Sequence, residues 1–245
     1  ILDNVTDLNV VDVYHCGKKI IKDEKAELKP CPPYLKNTVH VSGFSEERLK
    51  LKHSGTKARV IQMLEKQIVT KDVLEEVPWI ESDGEKYFAP DGEYQKIAVI
   101  ERHKNTGKMG VGIVKGYGIR GGAIASSVSH DSHNIIVVGD NDHDMAVAVK
   151  EMIRTQGGYT LVCNGEIYGT LPLPVMGLMS DAGYESVNEA LAKMIPKAHE
   201  MGVKEGFDPF ITLSFMALPV IPEIRITPRG IYLVNEDRML RTPFS

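Results

Sequence analysis

Residues 134–171 read Asn-Ile-Ile-Val-Val-Gly-Asp-Asn-Asp-His-Asp-Met-Ala-Val-Ala-Val-Lys-Glu-Met-Ile-Arg-Thr-Gln-Gly-Gly-Tyr-Thr-Leu-Val-Cys-Asn-Gly-Glu-Ile-Tyr-Gly-Thr-Leu, and they decide the fold class. Asn134–Val138 is a short apolar run with the length and β-branching of a strand. Asn141 or Asp142 then caps a helix, because Met145, Val149, Met152 and Ile153 fall on one face and Gly157-Gly158 ends it. Tyr159–Cys163 and Glu166–Leu171 flank Asn164-Gly165, a dipeptide suited to the positive φ angles of a two-residue hairpin. A helix that leads into a hairpin is not the repeating unit of a parallel α/β sheet.

The neighbouring segments fit that reading. Ile97–Glu101, Gly110–Tyr117 and Ala123–Val128 are predicted strands. Ser180 or Asp181 starts a second predicted helix that runs to Gly202, with Val187, Leu191, Met194 and Ile195 on one face and Pro196 as a kink. Pro209–Tyr232 reads as strand broken by Pro219, Pro222 and Pro228. Further upstream, Ala58–Leu64 fits a strand and Lys57–Glu65 fits a helix, with Gln67–Val69 a further strand. Asp83-Gly84 and Pro90-Asp91-Gly92 are turns around Lys86–Ala89. Near the start, Val10–Tyr14 and Lys19–Ile21 flank Cys16-Gly17 as a hairpin, and Leu28–Tyr34 carries Pro30, Pro32 and Pro33. The expectation is an α+β protein. Residues 1–40 are the end of a small β domain and a connector, and residues 41–245 form a strand-rich domain with two clear helices.

With 245 residues, of which 42% are hydrophobic and 25% charged, the chain can bury one large core or two small ones. A formal charge of −4 and the absence of long basic runs argue against a nucleic-acid partner, and Lys18–Lys22 and Lys104–Lys108 read as solvated surface. No apolar run approaches the roughly 20 residues of a membrane span. Three scattered cysteines suit a reducing cytoplasm better than a disulfide framework. The first residue is Ile and not Met, so a processed, cloned or partial chain is expected.

Two motifs are misleading. Gly116-Tyr-Gly118-Ile-Arg-Gly121 spells a dinucleotide fingerprint, but Gly121–Ser126 is a poor start for a helix, so tight turns are expected instead. Asp140-Asn-Asp142-His-Asp144 imitates a calcium loop, yet Met145 stands where such a loop needs Gly, so helix capping is expected. Neither H-x-E with P-C-x-x-C nor H-E-x-x-H nor G-x-S-x-G occurs.

The densest chemical cluster is His130-Asp131-Ser132-His133-Asn134. Two imidazoles, a carboxylate and an amide can donate, accept, move protons or hold a metal. In a strand His130 and His133 would face opposite sides, so only a turn lets them converge. A polar turn that satisfies its own backbone explains the same residues equally well. His103 and His143 are candidate neighbours, whereas His15, His40, His53 and His199 read as surface residues.

Several segments together resemble the C-terminal region of adenine deaminases, members of the amidohydrolase superfamily. They are Lys96–His103, Gly110–Gly118, Gly122–Gly139, Leu171–Pro174, Gly177–Ser180 and Pro209–Pro222. Residues 5–21 are similar to the closing strands of the small β domain that flanks amidohydrolase barrels.

That resemblance implies conversion of adenine and water to hypoxanthine and ammonia by a barrel holding a divalent metal, manganese or iron. It implies that the metal ligands lie outside this chain, which contains no H-x-H, and that the chain alone is inactive. It also implies adenine as substrate, the missing N-terminal barrel as partner and a homo-oligomer. The recurring H-D-S-H-N of the family matches His130, Asp131, Ser132, His133 and Asn134, which suggests a substrate-site or closure role. The competing readings are a stand-alone binding or regulatory module that has lost the barrel, and a small metal-dependent hydrolase using His130, Asp131 and His133.

Overall fold

Alternating side chains in the middle strands send two apolar faces to opposite sides of one sheet, so both faces need cover. In the computed structural model, which describes residues 1–20 and 30–244, this requirement organises the main unit. The chain divides into two compact units, Ile1–Pro30 and Cys31–Ser245.

In the first unit β1 (Val13–His15) and β2 (Lys18–Ile20) form an antiparallel hairpin. Its turn holds Cys16 at φ 48° and Gly17 at φ 76°, as the Cys16-Gly17 signal anticipates. Ile21 and Leu28-Lys29, expected as part of a strand and of a connector, lie outside the described residues.

The second unit runs β3 (Ala58–Met63), β4 (Thr70–Glu75), β5 (Trp79–Ser82), β6 (Glu85–Phe88), β7 (Tyr94–Ile100), β8 (Met109–Lys115), β9 (Gly122–Ser126) and β10 (Ile135–Gly139). Then come α1 (Asp142–Arg154), β11 (Gly158–Cys163), β12 (Glu166–Pro172), α2 (Tyr184–Glu200), α3 (Ile211–Met216), β13 (Ile224–Thr227), β14 (Gly230–Leu233) and β15 (Arg238–Leu240). Eight of these strands form one sheet in the order β12-β11-β9-β10-β7-β8-β3-β4, antiparallel except where β3 meets β8. The strand-rich α+β expectation holds, with two long α-helices and one short one among the described residues.

Period-two burial sorts the core. Ile97, Val99, Ile124, Ile136 and Val138 face a layer made by α2, α3 and the sheet β13-β14-β15. Ala98, Ala123, Ala125, Ile135 and Val137 face Met145, Val149 and Met152 of α1. Asn141 caps α1, its side chain accepting from the Asp144 amide at 2.8 Å. Asn164 and Gly165 make the β11–β12 turn at φ 50° and 84°, as their sequence demands.

Three expectations fail. Gln67–Val69 is not a strand: the chain turns there, and Arg225 takes the Ile68 carbonyl at 2.8 Å, so β4 begins at Thr70. The second long helix starts at Tyr184, because Ser180 bonds the Ala182 amide locally and Asp181 pairs with Lys36. Within Pro209–Tyr232 the first part is α3, started by Asp208, whose carboxylate accepts from the amides of Phe210 and Ile211 at 2.9 and 2.7 Å. A six-residue helix is too short to show a period that would distinguish it from a strand. The open choice at 57–65 resolves to strand β3.

A methyl group built on Gly110 would lie 2.1 Å from the Thr227 carbonyl, so this position sets how closely β13 packs on β8. Gly110→Ala should destabilise by about 1–3 kcal/mol through overpacking, read as a lower urea midpoint with unchanged far-UV dichroism.

Candidate functional site

Antiparallel pairing brings the polar cluster to one end of the sheet. β7 leaves the sheet at Ile100, opposite Ile135 of β10, and continues into Glu101-Arg102-His103. The β9–β10 connection at that same end carries His130–Asn134. Met176 and Gly177, beyond β12, reach it as well: Gly177 accepts from the Ser127 hydroxyl at 2.6 Å, and Met176 donates to the Leu35 carbonyl at 2.7 Å.

His130–Asn134 is a turn, the one geometry that lets both imidazoles converge. His133 sits at φ 48°, and its amide donates to the Ser129 carbonyl at 2.6 Å. The His130 and His133 rings meet edge to face with centroids 5.7 Å apart, and His130 also packs on Phe215 of α3 at 5.2 Å. Both imidazoles are half-buried, whereas Asp131 and Ser132 are exposed. Asn134 is buried and already engaged: its side chain donates to the Ser132 hydroxyl at 3.0 Å and accepts from the Arg102 amide at 3.3 Å. Burial lowers the His133 pKa, and His130, Arg102 and His103 reinforce that direction against Asp131. At neutral pH His133 is therefore the uncharged imidazole, able to donate and accept.

Spacing alone did not single out Arg102. It is 1% exposed, and its guanidinium donates to the carbonyls of His133, Thr38 (3.4 Å) and Met176 (3.0 Å). His103 joins the site from outside, donating from Nε2 to the Ser132 carbonyl at 2.6 Å. Glu101 shapes its loop, accepting from the amides of His103 (2.6 Å), Lys104 (2.7 Å) and Thr106 (2.9 Å) and from the Thr106 hydroxyl. His143 is not part of the group; it lies 3.4 Å from Glu46 at the N-terminus of α1. His53 and His199, expected at the surface, are half-buried: His53 packs against Phe244 with tilted rings, and His199 Nδ1 donates to the Val203 carbonyl.

The fingerprint-like glycines Gly116, Gly118 and Gly121 have φ of 91°, 100° and 62° and make turns. The amides of Gly121 and Gly122, which a phosphate would use, already donate to Asp140 at 2.5 and 3.0 Å. Asp142 pairs with buried Lys96, so the calcium-like acids serve the helix N-terminus and the sheet. Among the described residues no three His, Cys, Asp or Glu side chains converge as a cation site. A metal-hydrolase triad of His130, Asp131 and His133 therefore has no geometric support here, and the residues present do not fit the divalent metal that the resemblance implied. No helix among the described residues is long and apolar enough to cross a membrane.

The model of the adenine deaminase C-terminal domain matches residues 67–238, which include Arg102 and His130–Asn134. The chain belongs to that family. It is 48% identical to an adenine deaminase of Desulfitobacterium hafniense (strain Y51) over 241 residues, covering 98% of this chain and 42% of the relative. Identity to an adenine deaminase of Nitratidesulfovibrio vulgaris (strain DP4) is 42% over 239 residues, covering 96% of this chain and 41% of the relative. With adenine deaminase 2 of Carboxydothermus hydrogenoformans it is 44% over 205 residues, covering 82% and 35%. This adenine deaminase C-terminal domain chain thus spans about two fifths of the length of the relatives it matches.

For Glu101, burial raises the carboxyl pKa, but the amides of Thr106 and Lys104, the Thr106 hydroxyl and the His103 amide outweigh it and bring it from 4.5 to about 2. A depressed folded-state pKa gives stability that is present above the unfolded value and lost as pH falls through the folded one. Glu101→Gln should lower stability at pH 7, and the deficit should shrink between pH 4.5 and about 2, as followed by urea unfolding across that range.

Proposed function

We propose that this chain is the C-terminal part of an adenine deaminase, which converts adenine and water to hypoxanthine and ammonia. In this reading the turn at His130–Asn134 faces a barrel that lies outside the sequence and helps close its purine pocket. The observation that carries the reading is the turn itself: two imidazoles held side by side and half-exposed at one rim of the sheet.

A purine edge alternates donors and acceptors, and a neutral imidazole can serve either. His130 and His133 are the residues that would touch the purine or its approach. Asp131, exposed at the tip, would meet groups of the barrel. Asn134 supports the turn from below, since its amide is already used within it. A divalent metal, manganese or iron, belongs to the barrel in this reading. The same proposal has the whole enzyme cytoplasmic and homo-oligomeric, with this chain inactive alone.

His130→Ala or His133→Ala in the full-length deaminase should lower kcat/KM about tenfold, the equivalent of one lost hydrogen bond of about 1.4 kcal/mol, with Tm close to the parent. Unchanged kcat/KM with a lowered Tm would instead make the cluster a structural turn. Isolated chain that deaminated adenine at the rate of the full enzyme would remove the need for the barrel.

A further inference from the structure

Arg102 and Arg225 are both buried, and among the described residues the hydrogen-bond partners of their side chains are backbone carbonyls and one hydroxyl. Arg225 is fully buried and donates to the Thr70 hydroxyl and to the carbonyls of Ile68, Pro222 and Ile224. Arg102 donates to the carbonyls of His133, Thr38 and Met176. Burial pushes both guanidinium pKa values down to about 10, so both are cations at neutral pH. A buried cation without a carboxylate is costly, and carbonyl dipoles offset that cost only in part.

The two differ in what they hold. Arg225 joins β4 to the chain entering β13. Arg102 lies beneath the cluster and is bound to it twice: its Nε donates to the His133 carbonyl and its backbone amide donates to Asn134. Two further carbonyls on the same guanidinium belong to segments far apart in sequence, at Thr38 and Met176. The space is tight on that side, since a methyl group on Gly177 would come within 2.7 Å of the guanidinium. Arg102 therefore cannot swing out to meet a ligand and acts through what it pins.

We infer that Arg102 is the positioning residue of the His130–His133 pair: one side chain fixes the His133 backbone against the Thr38 and Met176 segments. This inference rests on the proposed role of that pair in the purine site. Among the described residues, the charged and titratable groups that act most on His133 are His130, Arg102, His103 and Asp131, and of these Asp131 alone favours the imidazolium. Arg102 contributes to keeping the ring neutral while holding it in place.

The test uses Arg102→Met, which keeps the apolar stem, Arg102→Lys, which keeps the charge, and Arg225→Lys as a control for a disturbed buried cation elsewhere. Imidazole resonances of the 245-residue chain are followed against pH by NMR, and kcat/KM against pH is measured for the same variants in the full-length deaminase. Arg102→Met should raise the His133 titration midpoint, shift the acid limb of kcat/KM to higher pH and lower its plateau about 10- to 100-fold, the cost of a misplaced group. Arg102→Lys should keep the midpoint near that of the parent and restore only part of the plateau. Arg225→Lys should lower Tm and leave the His130 and His133 signals in place.

Wild-type His133 signals in folded Arg102→Met would overturn the inference, as would equal displacement of those signals by Arg225→Lys. Where Arg102→Met does not fold, Arg102→Lys decides: full kcat/KM with unmoved signals overturns it, and a lowered plateau supports it. Displaced His133 signals with unchanged kcat/KM would uphold the positioning role and overturn the purine-site reading, which separates the two.

Discussion

The middle of the eight-stranded sheet has no face left for water. Every residue of β7, β9 and β10 is buried, and this requirement governs the rest of the second unit. One face is lined by branched side chains and is closed by α2, α3 and the small sheet β13-β14-β15. The other carries small residues such as Ala98, Ala123 and Ala125, which let α1 lie close. Gly139 belongs to the same fit, because a methyl group there would stand 2.6 Å from the Met145 side chain. With both faces filled, polar chemistry is confined to the ends of the strands.

The two ends are used differently. At the Gly139 end polar groups are consumed by structure: Asp140 holds the amides of Gly121 and Gly122, Asp142 pairs with Lys96, and Asn141 caps α1. Each satisfies a buried or terminal group that would otherwise go unpaired. At the Ile100 end a buried cation and several backbone carbonyls hold a turn whose imidazoles stay half-open. Ser129 Oγ and His133 Nδ1 are buried there without a partner among the described residues, which sets this end apart from the saturated one.

Much of the architecture was legible because local rules and the global fold agree. The Asn164-Gly165 hairpin, the Asn141 cap and the strand-like runs of β7 to β10 each depend on a few neighbouring residues. Where reading failed, a distant residue had the decisive contact. Lys36 draws Asp181 away from capping α2, Arg225 takes the Ile68 carbonyl, and α3 is too short at six residues to show its period. The candidate site shows the same division. The H-D-S-H-N cluster stood out by composition, and its need for a turn came from strand geometry. The place of Arg102 did not, because its partners lie 31, 64 and 74 residues away in sequence.

By itself, then, the sequence determined the strand-rich class, the turns that require Asn or Gly, and the five residues able to do chemistry at one connection. Only the tertiary structure decided which of them stay available. Asn134 is used inside the turn, while His130 and His133 are brought edge to face, with Arg102 holding the His133 carbonyl. The reason is physical: residue type fixes what a group can donate, accept or carry, but burial and long-range partners fix which of those capacities are already taken.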